Sequence, residues 1–585
     1  MCGIFGVVGK NQNAAQVVLS GLKKLEYRGY DSWGITVKQN GQLVRERHVG
    51  KIGQAKTKLS KSNIGLGHTR WATHGGVTVG NAHPHLDCSK KICLVHNGIV
   101  ENFLSLKQTL KKQHRFASET DTEVALHLIE ELAKTQDLKT ATLKAFKRIH
   151  GMNAFIIIDA HSNELIAVKN GSPLAIGITK DSLYISSDVW ALLDHTNKIV
   201  FLEDHQLAHL SLEGLKLYST KTNKVIQPKI NTLNWQSEQS KLGKFHHYME
   251  KEIFDQPKIL DNLSRLTLKT LQPITNSIKK SQTSYLLGCG TAYYAALFGE
   301  YLFNLAGQES ISIVGSEFAK NQHLLKSGKS FLMLSQSGET IDVIEAANLA
   351  IKNKMKIFSI TNVLGSTLYR KSDFSVLLQA GQEVAVASTK AFTSKLAILI
   401  QLAYLLKGQL KQGQALVHQS AKAVTQILSG KSRKKIKALA KTIKDQNHVF
   451  VVGRGLSYPI ALETALKIKE VSYIHAEGYA GGELKHGPIA LIEENTPCIV
   501  IAPNDENYQD IISAAYEMKA RGGYIIGISP KKDKVFDTLI KVQDLKEATS
   551  IPITAVAQTL AYDLAISRGL NPDKPRNLAK SVTVK

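Results

Sequence analysis

Cysteine occupies the second position of the chain, directly after the initiator methionine. Methionine is usually trimmed before a small residue, and Cys2 would then carry a free α-amine with a pKa of about 7.7–8.0. Such an amine can act as general base for the adjacent thiol, so one residue would supply both nucleophile and base. The alternative is a small apolar cysteine at the start of a buried strand, because Ile4, Phe5 and Val7 follow. The first ten residues taken alone favour the buried strand.

A second set of reactive groups lies at residues 335–340, which read Ser-Gln-Ser-Gly-Glu-Thr after an apolar run. A helix that starts here would present free N–H groups and a favourable dipole to an anion, and the hydroxyls would add donors. This chemistry suits a monophosphate. Plain helix capping with Ser337 as the cap explains the same residues. The local sequence does not distinguish phosphate binding from helix capping.

A third motif, Gly288-Cys289-Gly290, begins like a dinucleotide-binding fingerprint. The third glycine of that fingerprint is needed for close packing of helix on sheet. Tyr293 occupies its place, and Tyr458 occupies it in a second copy of the motif. The sequence therefore argues against NAD binding.

Histidines and cysteines are dense between positions 68 and 96. They are His68, His74, His83, His85, Cys88, Cys93 and His96. Zinc sites usually show tight Cys-x2-4-Cys or His-x3-5-His pairs, which this spacing does not match well. The sequence predicts no metal site.

The elements that must position these residues change along the chain. Residues 1–235 contain short strand-like runs between helical stretches, which predicts an α+β or layered sandwich domain. The predicted strands cover 4–8, 34–37, 92–95, 154–158 and 183–186. The polar stretch 236–256 is predicted to be a linker.

From residue 257 onward, wholly apolar strands alternate with long helices, which predicts parallel sheets covered on both faces. The predicted strands are 284–287, 331–334, 449–452 and 498–501. An apolar strand followed by Gly-x-Gly and a helix occurs twice, so two similar α/β domains are expected, at 257–425 and 430–570. Residues 571–585 are predicted to be an extended tail.

Composition narrows the class of protein. The chain has 585 residues, of which 43% are hydrophobic and 21% charged, so it is ordinary globular material. Five scattered cysteines suit a reducing compartment, and we expect the cytoplasm. The longest apolar run, 396–406, is far short of the roughly 20 residues that a bilayer needs, and no signal peptide is expected.

The net charge of +25 would suit nucleic acid, an acidic membrane surface or anionic small substrates. The densest basic segment, 431–444, carries apolar residues at helical spacing and predicts an amphipathic helix with a solvated basic face. No nucleic-acid-binding motif accompanies it. Neither nucleic acid nor membrane is an expected partner.

Several motifs in the first 125 residues occur together with Cys2. They are Leu-Glu-Tyr-Arg-Gly-Tyr-Asp-Ser at 25–32, His-Thr-Arg-Trp-Ala-Thr-His at 68–74, His-Asn-Gly at 96–98 and Ser-Glu-Thr-Asp-Thr-Glu at 118–123. In this order they resemble the N-terminal-nucleophile glutamine amidotransferases, whose fold is an αββα sandwich. The resemblance implies that Cys2 attacks the glutamine amide and that Asn97 and Gly98 form the oxyanion hole.

The same resemblance assigns glutamine-binding residues. Arg70 would hold the α-carboxylate and Asp121 the α-ammonium, while the remaining residues would line, gate or position the pocket: Thr73, His74, Trp71 and Arg28. The residue types alone would also suit an ordinary surface pair of Arg70 with Asp121.

The carboxyl-terminal half resembles the sugar isomerase (SIS) phosphosugar-binding domains through residues 335–340 and 387–393. Residues 463–470, 483–488 and 575–584 narrow the resemblance to the isomerising glutamine–fructose-6-phosphate aminotransferase family. It implies two SIS domains with doubly wound parallel sheets, L-glutamine and D-fructose 6-phosphate as substrates, no cofactor, and a homodimer through the SIS domains.

Roles carry over residue by residue. The residues implied to bind the sugar phosphate are Thr291, Ser335, Gln336, Ser337, Thr340, Val386 and Ser388. Lys580 would form a Schiff base, Glu470 would move a proton between C1 and C2 with Lys467 beside it, and His486 would open the sugar ring. Ala292 stands where the family usually has serine. Spacing alone would also make Lys467 and Glu470 part of a solvated helix face.

Two alternative functions have to be compared with this interpretation. Another amidotransferase would need the signature of the phosphoribosyl-pyrophosphate or asparagine-synthetase type, and neither is found. A non-catalytic sugar-phosphate sensor on the same domains is disfavoured because Cys2, Glu470, His486 and Lys580 are all present.

Overall fold

The computed structural model describes residues 2–10, 13–233, 242–325 and 328–582. The chain divides into two compact units, one of residues 1–239 with 581–585 and one of residues 240–580. Each unit has its own sheets and is described by itself.

The first unit alternates short strands with a few helices. In chain order its elements are β1 (Gly3–Gly9), α1 (Ala14–Leu25), β2 (Ser32–Gln39), β3 (Gln42–Val49), β4 (Ile64–Arg70), β5 (His85–Leu86), β6 (Ile92–Gly98), α2 (Phe103–Leu110), α3 (Asp121–Ala133), α4 (Leu138–Arg148), β7 (Asn153–Asp159), β8 (Leu165–Asn170), β9 (Ala175–Ile178), β10 (Ser182–Ser186), β11 (Lys198–Phe201), β12 (Gln206–Ser211), β13 (Gly214–Ser219), β14 (Val225–Ile226) and β15 (Ile230–Thr232).

These strands form two antiparallel sheets that face each other. Their orders are β15-β11-β9-β10-β1-β4-β2-β3 and β14-β13-β12-β8-β7-β6-β5. Ile4 and Leu66 of the first sheet share one buried core with Val95 and Ile156 of the second. Helix α1 covers the outside of the first sheet, and α3 and α4 cover the second. The predicted αββα sandwich is confirmed.

The second unit alternates apolar strands with longer helices. Its elements are α5 (Tyr248–Leu263), α6 (Leu268–Lys280), β16 (Thr283–Gly288), α7 (Thr291–Leu305), β17 (Ser310–Val314), β18 (Lys329–Ser335), α8 (Ile341–Lys352), β19 (Ile357–Thr361), α9 (Thr367–Lys371), β20 (Phe374–Leu377), α10 (Lys390–Leu406), α11 (Leu410–Ile427), α12 (Gly430–Ile443), β21 (His448–Gly453), α13 (Ser457–Ser472), β22 (His475–Ala480), β23 (Pro497–Ile501), α14 (Tyr508–Lys519), β24 (Tyr524–Ser529), β25 (Thr538–Lys541) and α15 (Ser550–Ser567).

Two parallel five-stranded sheets organise this unit. Their orders are β17-β16-β18-β19-β20 and β22-β21-β23-β24-β25, which are the same arrangement read in chain order. Strand order reverses beside β16 and beside β21, and ligands of such folds bind outside the carboxyl ends of strands at this reversal. The motifs predicted to hold the sugar phosphate follow β16 and β18, at that edge. The predicted repeat of two doubly wound α/β domains is confirmed.

A single core joins the two sheets of the second unit. Leu286, Phe392, Ile468 and Leu560 belong to it. Helix α10 lies almost wholly inside, which explains its long apolar run without any membrane. In the described part of the chain, no helix is long and apolar enough to cross a membrane. Helix α12 buries Ile436 and the rest of its apolar face as predicted.

The predicted linker 236–256 differs from the structure in its second half. Residues 236–241 lie outside the described residues, but helix α5 already begins at Tyr248. Met249, Ile253 and Leu260 are buried there at helical spacing. Polar residues separate these apolar residues in the sequence, so the composition predicts a linker. In the structure the apolar residues lie on one buried face of a helix. Residues 583–585 of the predicted tail also lie outside the described residues.

Candidate active sites

Cys2 lies immediately before β1, beside the end of β4. Its thiol is 3.5 Å from the carbonyl oxygen of Trp71, and the Trp71 backbone N–H donates to the sulfur at 3.3 Å. The backbone of the next residue, Gly3, donates to Thr69 at 3.1 Å. Burial raises the pKa of the Cys2 thiol above its ordinary value. The resting sulfur is therefore protonated, and a base is needed to activate it.

Asn97 and Gly98 end strand β6 next to Cys2. The Asn97 side-chain amide donates to the Cys2 carbonyl oxygen at 3.1 Å. Gly98 has a φ of +134°, and a Cβ there would lie 2.1 Å from the Met152 carbonyl oxygen, so only glycine fits. The Asn97 side-chain amide and the peptide N–H of its neighbour Gly98 thus lie at the end of β6, and the amide contacts Cys2. An oxyanion hole is built from hydrogen-bond donors of these two kinds.

Arg70 and Asp121 are buried, 2% and 4% exposed, so they are not the surface pair that the residue types allow. The Arg70 guanidinium donates to the carbonyl oxygens of His74, Gly75 and Gly76 at 2.5, 3.0 and 3.1 Å. Asp121 begins α3 and accepts from the Val100 N–H at 2.7 Å. Arg70 therefore holds the loop that follows β4.

The other predicted pocket residues sit in or beside that loop. Thr73 is exposed, whereas the His74 ring packs edge-on against Phe103 at 5.1 Å. Trp71 packs edge-on against Tyr30 at 5.7 Å. These aromatic contacts connect the loop to neighbouring segments of the same unit.

Arg28 lies on the other side of Cys2. Its Nε donates to the Cys2 carbonyl oxygen at 3.2 Å, and Nη1 pairs with Asp188 at 3.0 Å. Tyr27 donates to the same carboxylate at 2.5 Å. In the structure Arg28 therefore positions the backbone of Cys2, a contact that sequence reasoning did not anticipate.

The histidines between 68 and 96 have ordinary structural partners. His68 stacks on His83 with ring centroids 4.2 Å apart, and the His83 and His96 rings each lie 2.9 Å from the Thr122 hydroxyl. Burial lowers the pKa of His68 to about 3 and that of His85 to about 3. These residues form a neutral, hydrogen-bonded layer inside the sandwich.

In the second unit, residues 335–340 form a tight turn between β18 and α8. The Gly338 N–H donates to the Ser335 hydroxyl at 3.0 Å, and Ser335 contacts Thr340 at 3.0 Å. Gly338 has a φ of +64° and packs against Ser366 so closely that a Cβ would clash. The Glu339 N–H donates to Ser337 at 3.1 Å.

The alternative prediction, that Ser337 caps the helix after this turn, is wrong. Helix α8 begins at Ile341, so Thr340 and not Ser337 is the N-cap, and the Thr340 side chain makes no capping hydrogen bond. The free N–H groups of α8 therefore remain available at the carboxyl edge of the sheet. Together with the hydroxyls, they form the cradle that an anionic phosphate requires.

Helix α13 brings the predicted acid–base residues against the start of α7. The Lys467 ammonium lies 2.5 Å from Glu470 and 3.4 Å from Glu463, and it donates to the Thr291 hydroxyl at 3.0 Å. Lys467 is fully buried, so the solvated helix face was the wrong alternative. Burial raises the pKa of Glu463 to about 7, with Lys467 opposing that rise. Sequence reasoning noted Glu463 only as a helix neighbour.

Lys580 reaches a carboxylate that sequence reasoning missed. Its ammonium donates to Glu383 at 2.6 Å, and the Ser388 hydroxyl donates to the same oxygen at 3.1 Å. Backbone N–H groups of Thr389 and Ala391 donate to the other oxygen at 2.8 and 3.1 Å. Burial raises the pKa of Glu383, but Lys580 and these N–H groups outweigh it and hold the pKa at about 2. Glu383 stays ionised and orients Lys580.

Three further residues predicted for the sugar site are Val386, Gln336 and His486. Val386 is buried, and its N–H donates to the Asp573 carbonyl oxygen at 3.0 Å in front of the tail. Gln336 is half-buried in the turn after β18. His486 lies on a short 3-10 helix and is exposed, with no hydrogen bond or ion pair to any residue in the described ranges.

Another buried amine accompanies these clusters. Lys395 of α10 is 1% exposed, and its ammonium donates to the Ala391 carbonyl oxygen at 3.4 Å. Burial lowers the pKa of Lys395 to about 8, although Glu383 and Glu463 oppose the shift. Its apolar helix neighbours gave no signal of a polar environment in the sequence.

Glu252 of α5 supports the segment that carries Val386. One of its oxygens accepts from the N–H groups of Val384 and Ala385, the latter at 3.2 Å. Within the described ranges the other oxygen has no hydrogen-bond partner. Burial raises the pKa of Glu252 to about 8, against Lys390 and Lys580, which lower it, and with Glu383, which raises it.

We expect Glu252→Gln to stabilise the second unit increasingly as pH rises. The pKa of Glu252 is about 4.5 in the unfolded chain and about 8 in the folded chain. Between these pH values unfolding releases a proton, so the folded state becomes less stable as pH rises. Glutamine stays neutral and avoids this loss. The difference in the free energy of unfolding should grow by about 2–4 kcal/mol between pH 5 and pH 9. Urea denaturation at each pH measures it. Glu250→Gln on the same helix is the control, and a pH-independent difference for Glu252→Gln would contradict the prediction.

Family models match both halves of the chain. A glutamine amidotransferase domain matches residues 45–237, and a SIS domain matches residues 277–405 and 442–568. A solved structure, the C-terminal domain of glucosamine-fructose-6-phosphate aminotransferase from Francisella tularensis, is 32% identical, with a TM-score of 0.53. That alignment covers 57% of this chain and all of the solved one.

Full-length relatives carry one name. The glutamine–fructose-6-phosphate aminotransferase (isomerizing) of Thermococcus kodakarensis is 40% identical over 603 residues, covering 100% of both chains. The protein of that name from Haemophilus influenzae is 40% identical over 618 residues, again covering 100% of both. On this evidence the chain belongs to the isomerising glutamine–fructose-6-phosphate aminotransferase family.

Proposed function

We propose that this chain converts D-fructose 6-phosphate and L-glutamine into D-glucosamine 6-phosphate and L-glutamate. The observation that carries the proposal is that one polypeptide holds two separate sets of groups. One is the half-buried thiol of Cys2 beside an amide donor, and the other is a buried lysine held by an ionised carboxylate. The first set suits release of ammonia from an amide, and the second suits imine chemistry on a ketose.

The glutaminase half-reaction uses Cys2 as nucleophile. After removal of the initiator methionine, the α-amine of Cys2 takes the thiol proton, and the sulfur attacks the glutamine side-chain carbonyl. Asn97 has two amide N–H groups, of which one donates to the Cys2 carbonyl oxygen and one is left for the developing oxyanion. Gly98 supplies the second donor. Ammonia leaves, and water hydrolyses the thioester to glutamate.

The synthase half-reaction uses Lys580 as an amine nucleophile on C2 of the ketose. Glu383 orients the Lys580 amine, since the two side chains are 2.6 Å apart and both are buried. Ammonia from the first half-reaction then exchanges with the lysine at the C2 imine, which releases Lys580 as a free amine and leaves the new nitrogen on C2. Glu470 finally moves a proton from C1 to C2, with the charged Lys467 stabilising its carboxylate at 2.5 Å, and the nitrogen stays on the product as an amine.

We propose that the sugar phosphate binds at the turn after β18. Ser335, Gln336, Ser337 and Thr340 supply polar groups there, with the N-terminus of α8 behind them. Thr291, at the start of α7 after β16, accepts a hydrogen bond from the Lys467 ammonium at 3.0 Å. Val386 and Ser388 precede α10 and would contact the sugar, because Ser388 shares Glu383 with Lys580.

The chain is proposed to act as a homodimer through its SIS domains. His486 is exposed and makes no hydrogen bond or ion pair among the described residues, and we propose that it opens the sugar ring in the site of the partner. The proposed domains are 1–235, 257–425 and 430–570, with 571–585 as a tail, and helix α5 from Tyr248 belongs to the second unit rather than to a linker. The described cysteines are free thiols, which suits a reducing compartment such as the cytoplasm.

Incubation of the full chain with glutamine and fructose 6-phosphate tests the overall reaction. We expect glutamate and amino sugar to appear in equal amounts, without any added metal or organic cofactor. Release of glutamate without amino sugar would reduce the function to that of a glutaminase. Absence of both products would favour a sugar-phosphate sensor.

Glutamine recognition rests on Arg70 and is tested by Arg70→Lys. A lysine cannot present the planar fork that meets a carboxylate with two hydrogen bonds. We expect the KM for glutamine to rise by about 10- to 100-fold, with a smaller fall in kcat. Initial rates of glutamate release measure both constants.

Arg47→Lys is the matched control for Arg70→Lys. Arg47 donates to the carbonyl oxygens of Gly80 and Ala82, both at 2.9 Å, in the continuation of the same loop. If both variants raised KM equally, loop support alone would explain the effect. An unchanged KM in Arg70→Lys would contradict the assigned role.

A further inference from the structure

Outside both catalytic centres, four potential metal ligands converge in the first unit. They are Cys88, His114, His127 and Glu130, and their ligand atoms all lie within 4.8 Å of one another. Cys88 lies between β5 and β6, His114 follows α2, and His127 and Glu130 share one face of α3. The sequence separates these segments, and only Cys88 belongs to the group that sequence reasoning weighed as metal ligands.

The distances among these atoms resemble a coordination sphere. The Cys88 sulfur is 3.8 Å from His114 Nδ1 and 3.9 Å from His127 Nδ1. Glu130 Oε2 is 3.0 Å from His114 Nδ1 and 2.8 Å from His127 Nδ1. Zinc bonds of about 2.3 Å to sulfur and about 2.0–2.1 Å to nitrogen and oxygen would separate tetrahedral ligands by roughly 3.4–3.6 Å. The two Glu130 separations are shorter than that range and the two Cys88 separations are slightly longer, so the four side chains would have to shift a little to accept the ion.

The groups behind the ligands also fit a cation. His114 Nε2 lies at hydrogen-bond distance from Glu131, 3.0 Å, whereas His127 Nε2 lies 3.6 Å from Glu123, an ion-pair distance without a hydrogen bond. Metal-bound histidines characteristically direct their second nitrogen toward a carboxylate, which sets the tautomer and strengthens the ligand. Both histidines are buried, so this pattern is not a feature of a solvated surface.

Charge balance points the same way. The cluster gathers Glu123, Glu130 and Glu131 around two imidazoles and one thiol. Glu130 Oε2 faces both Nδ1 atoms, while a carboxylate faces each Nε2. A divalent cation in contact with both Nδ1 atoms, Glu130 and the Cys88 sulfur would offset the negative charge of these three carboxylates.

We propose that Cys88, His114, His127 and Glu130 bind one zinc ion. Nitrogen and sulfur ligands exclude calcium and magnesium, and a closed set of four protein ligands is typical of structural rather than catalytic zinc. The ion joins the β5–β6 loop and the segment after α2 to α3. Since α3 begins at Asp121, the ion supports the helix that presents this residue to the glutamine site.

The test starts with the full-length protein freed of metal by a chelator. Zn²⁺ is added, excess metal is removed by gel filtration, and bound metal is measured by plasma mass spectrometry. We expect about one zinc per chain. Zinc should also raise the midpoint of thermal unfolding, because it binds the folded state. Zinc well below one per chain, even at saturating Zn²⁺ before filtration, would overturn the proposal.

Cys88→Ala is the decisive variant because Cys88 is exposed and its removal leaves no cavity in the core. We expect its zinc affinity to fall at least about tenfold, whereas Cys498→Ala, which removes a thiol from the second unit, should bind zinc normally. With Co²⁺ as probe, the thiolate-to-cobalt absorption of the wild type should vanish in Cys88→Ala. Equal zinc in Cys88→Ala and the wild type would mean adventitious metal and refute the site.

Glu131→Gln separates a metal site from a hydrogen-bonded cluster. Glu131 is a positioning residue that touches His114 and not the ion. We expect a 10- to 100-fold loss of zinc affinity with the cobalt spectrum retained at saturation. None of these readouts depends on catalysis, so failure of the proposed enzymatic function would leave them unaffected.

Discussion

We expect Cys2→Ala to abolish glutamine-dependent formation of glucosamine 6-phosphate while ammonia-dependent formation survives. Cys2 lies in the first unit, whereas Lys580, Glu383 and Glu470 belong to the second. Loss of the Cys2 sulfur removes the proposed thioester chemistry altogether, and losses of a catalytic nucleophile are on the order of 10⁴- to 10⁶-fold. Amino sugar formed from glutamine, and separately from ammonium salt, measures the two routes.

Cys93→Ala is the matched control for the nucleophile. Its thiol is buried in the same unit and contacts the Thr36 hydroxyl at 3.3 Å, away from Asn97. We expect Cys93→Ala to lose some stability and keep glutamine-dependent synthesis. Persistent glutamine-dependent synthesis in Cys2→Ala would refute the nucleophile. Loss of both routes together with glutamine binding would identify Cys2 as a structural cysteine.

We expect Lys580→Arg to stop amino-sugar synthesis from either nitrogen source, by at least about a thousandfold, while glutamine hydrolysis continues. Arginine preserves the positive charge opposite Glu383, so the buried carboxylate stays paired. A guanidinium stays protonated at working pH and cannot add to a ketone. The variant therefore removes the imine with little disturbance of the ion pair.

Covalent trapping with borohydride identifies the lysine that forms the imine. Borohydride added to wild-type protein with fructose 6-phosphate should attach the reduced sugar phosphate to the peptide that contains Lys580, as measured by mass spectrometry. Lys574→Arg, a change of the same kind in the same segment, is the control and should be trapped normally. Trapping at another lysine, or synthesis at the wild-type rate by Lys580→Arg, would refute the assignment.

Removing the partner of Lys580 instead should behave differently. Glu383→Gln leaves the amine in place but loses the carboxylate that orients it, and the buried ammonium is then uncompensated. We expect reduced synthesis that still proceeds through a trappable imine. Comparison of the two variants separates the nucleophile from the group that positions it.

Short-range patterns were enough to predict most of the architecture. The strands β1, β7, β16 and β21 were visible as apolar runs because a strand buried on both faces leaves its mark on consecutive residues. The repeated strand, Gly-x-Gly and helix predicted two similar parallel sheets. Helix α5 was missed where it begins, since scattered polar residues hid its buried face.

Local motifs also located Cys2, Asn97 and the turn at 335–340, because each of these sets lies within a few residues of an element end. What the local sequence left open was the environment. Burial excluded the surface pair of Arg70 with Asp121 and the solvated face around Lys467. It also showed that Thr340 ends the turn, leaving Ser337 free of a capping role at α8.

Long-range pairings were beyond the reach of the sequence. Glu383 meets Lys580 across 197 positions, and Cys88 meets His114 and His127 across 26 and 39. Amino-acid types and spacing predicted the elements and the repeat, because those depend on neighbours along the chain, while the family resemblance of the motifs proposed Cys2 as the nucleophile. Only the tertiary structure decided which carboxylate holds Lys580 and which four side chains converge on one point, because such contacts depend on how distant elements pack.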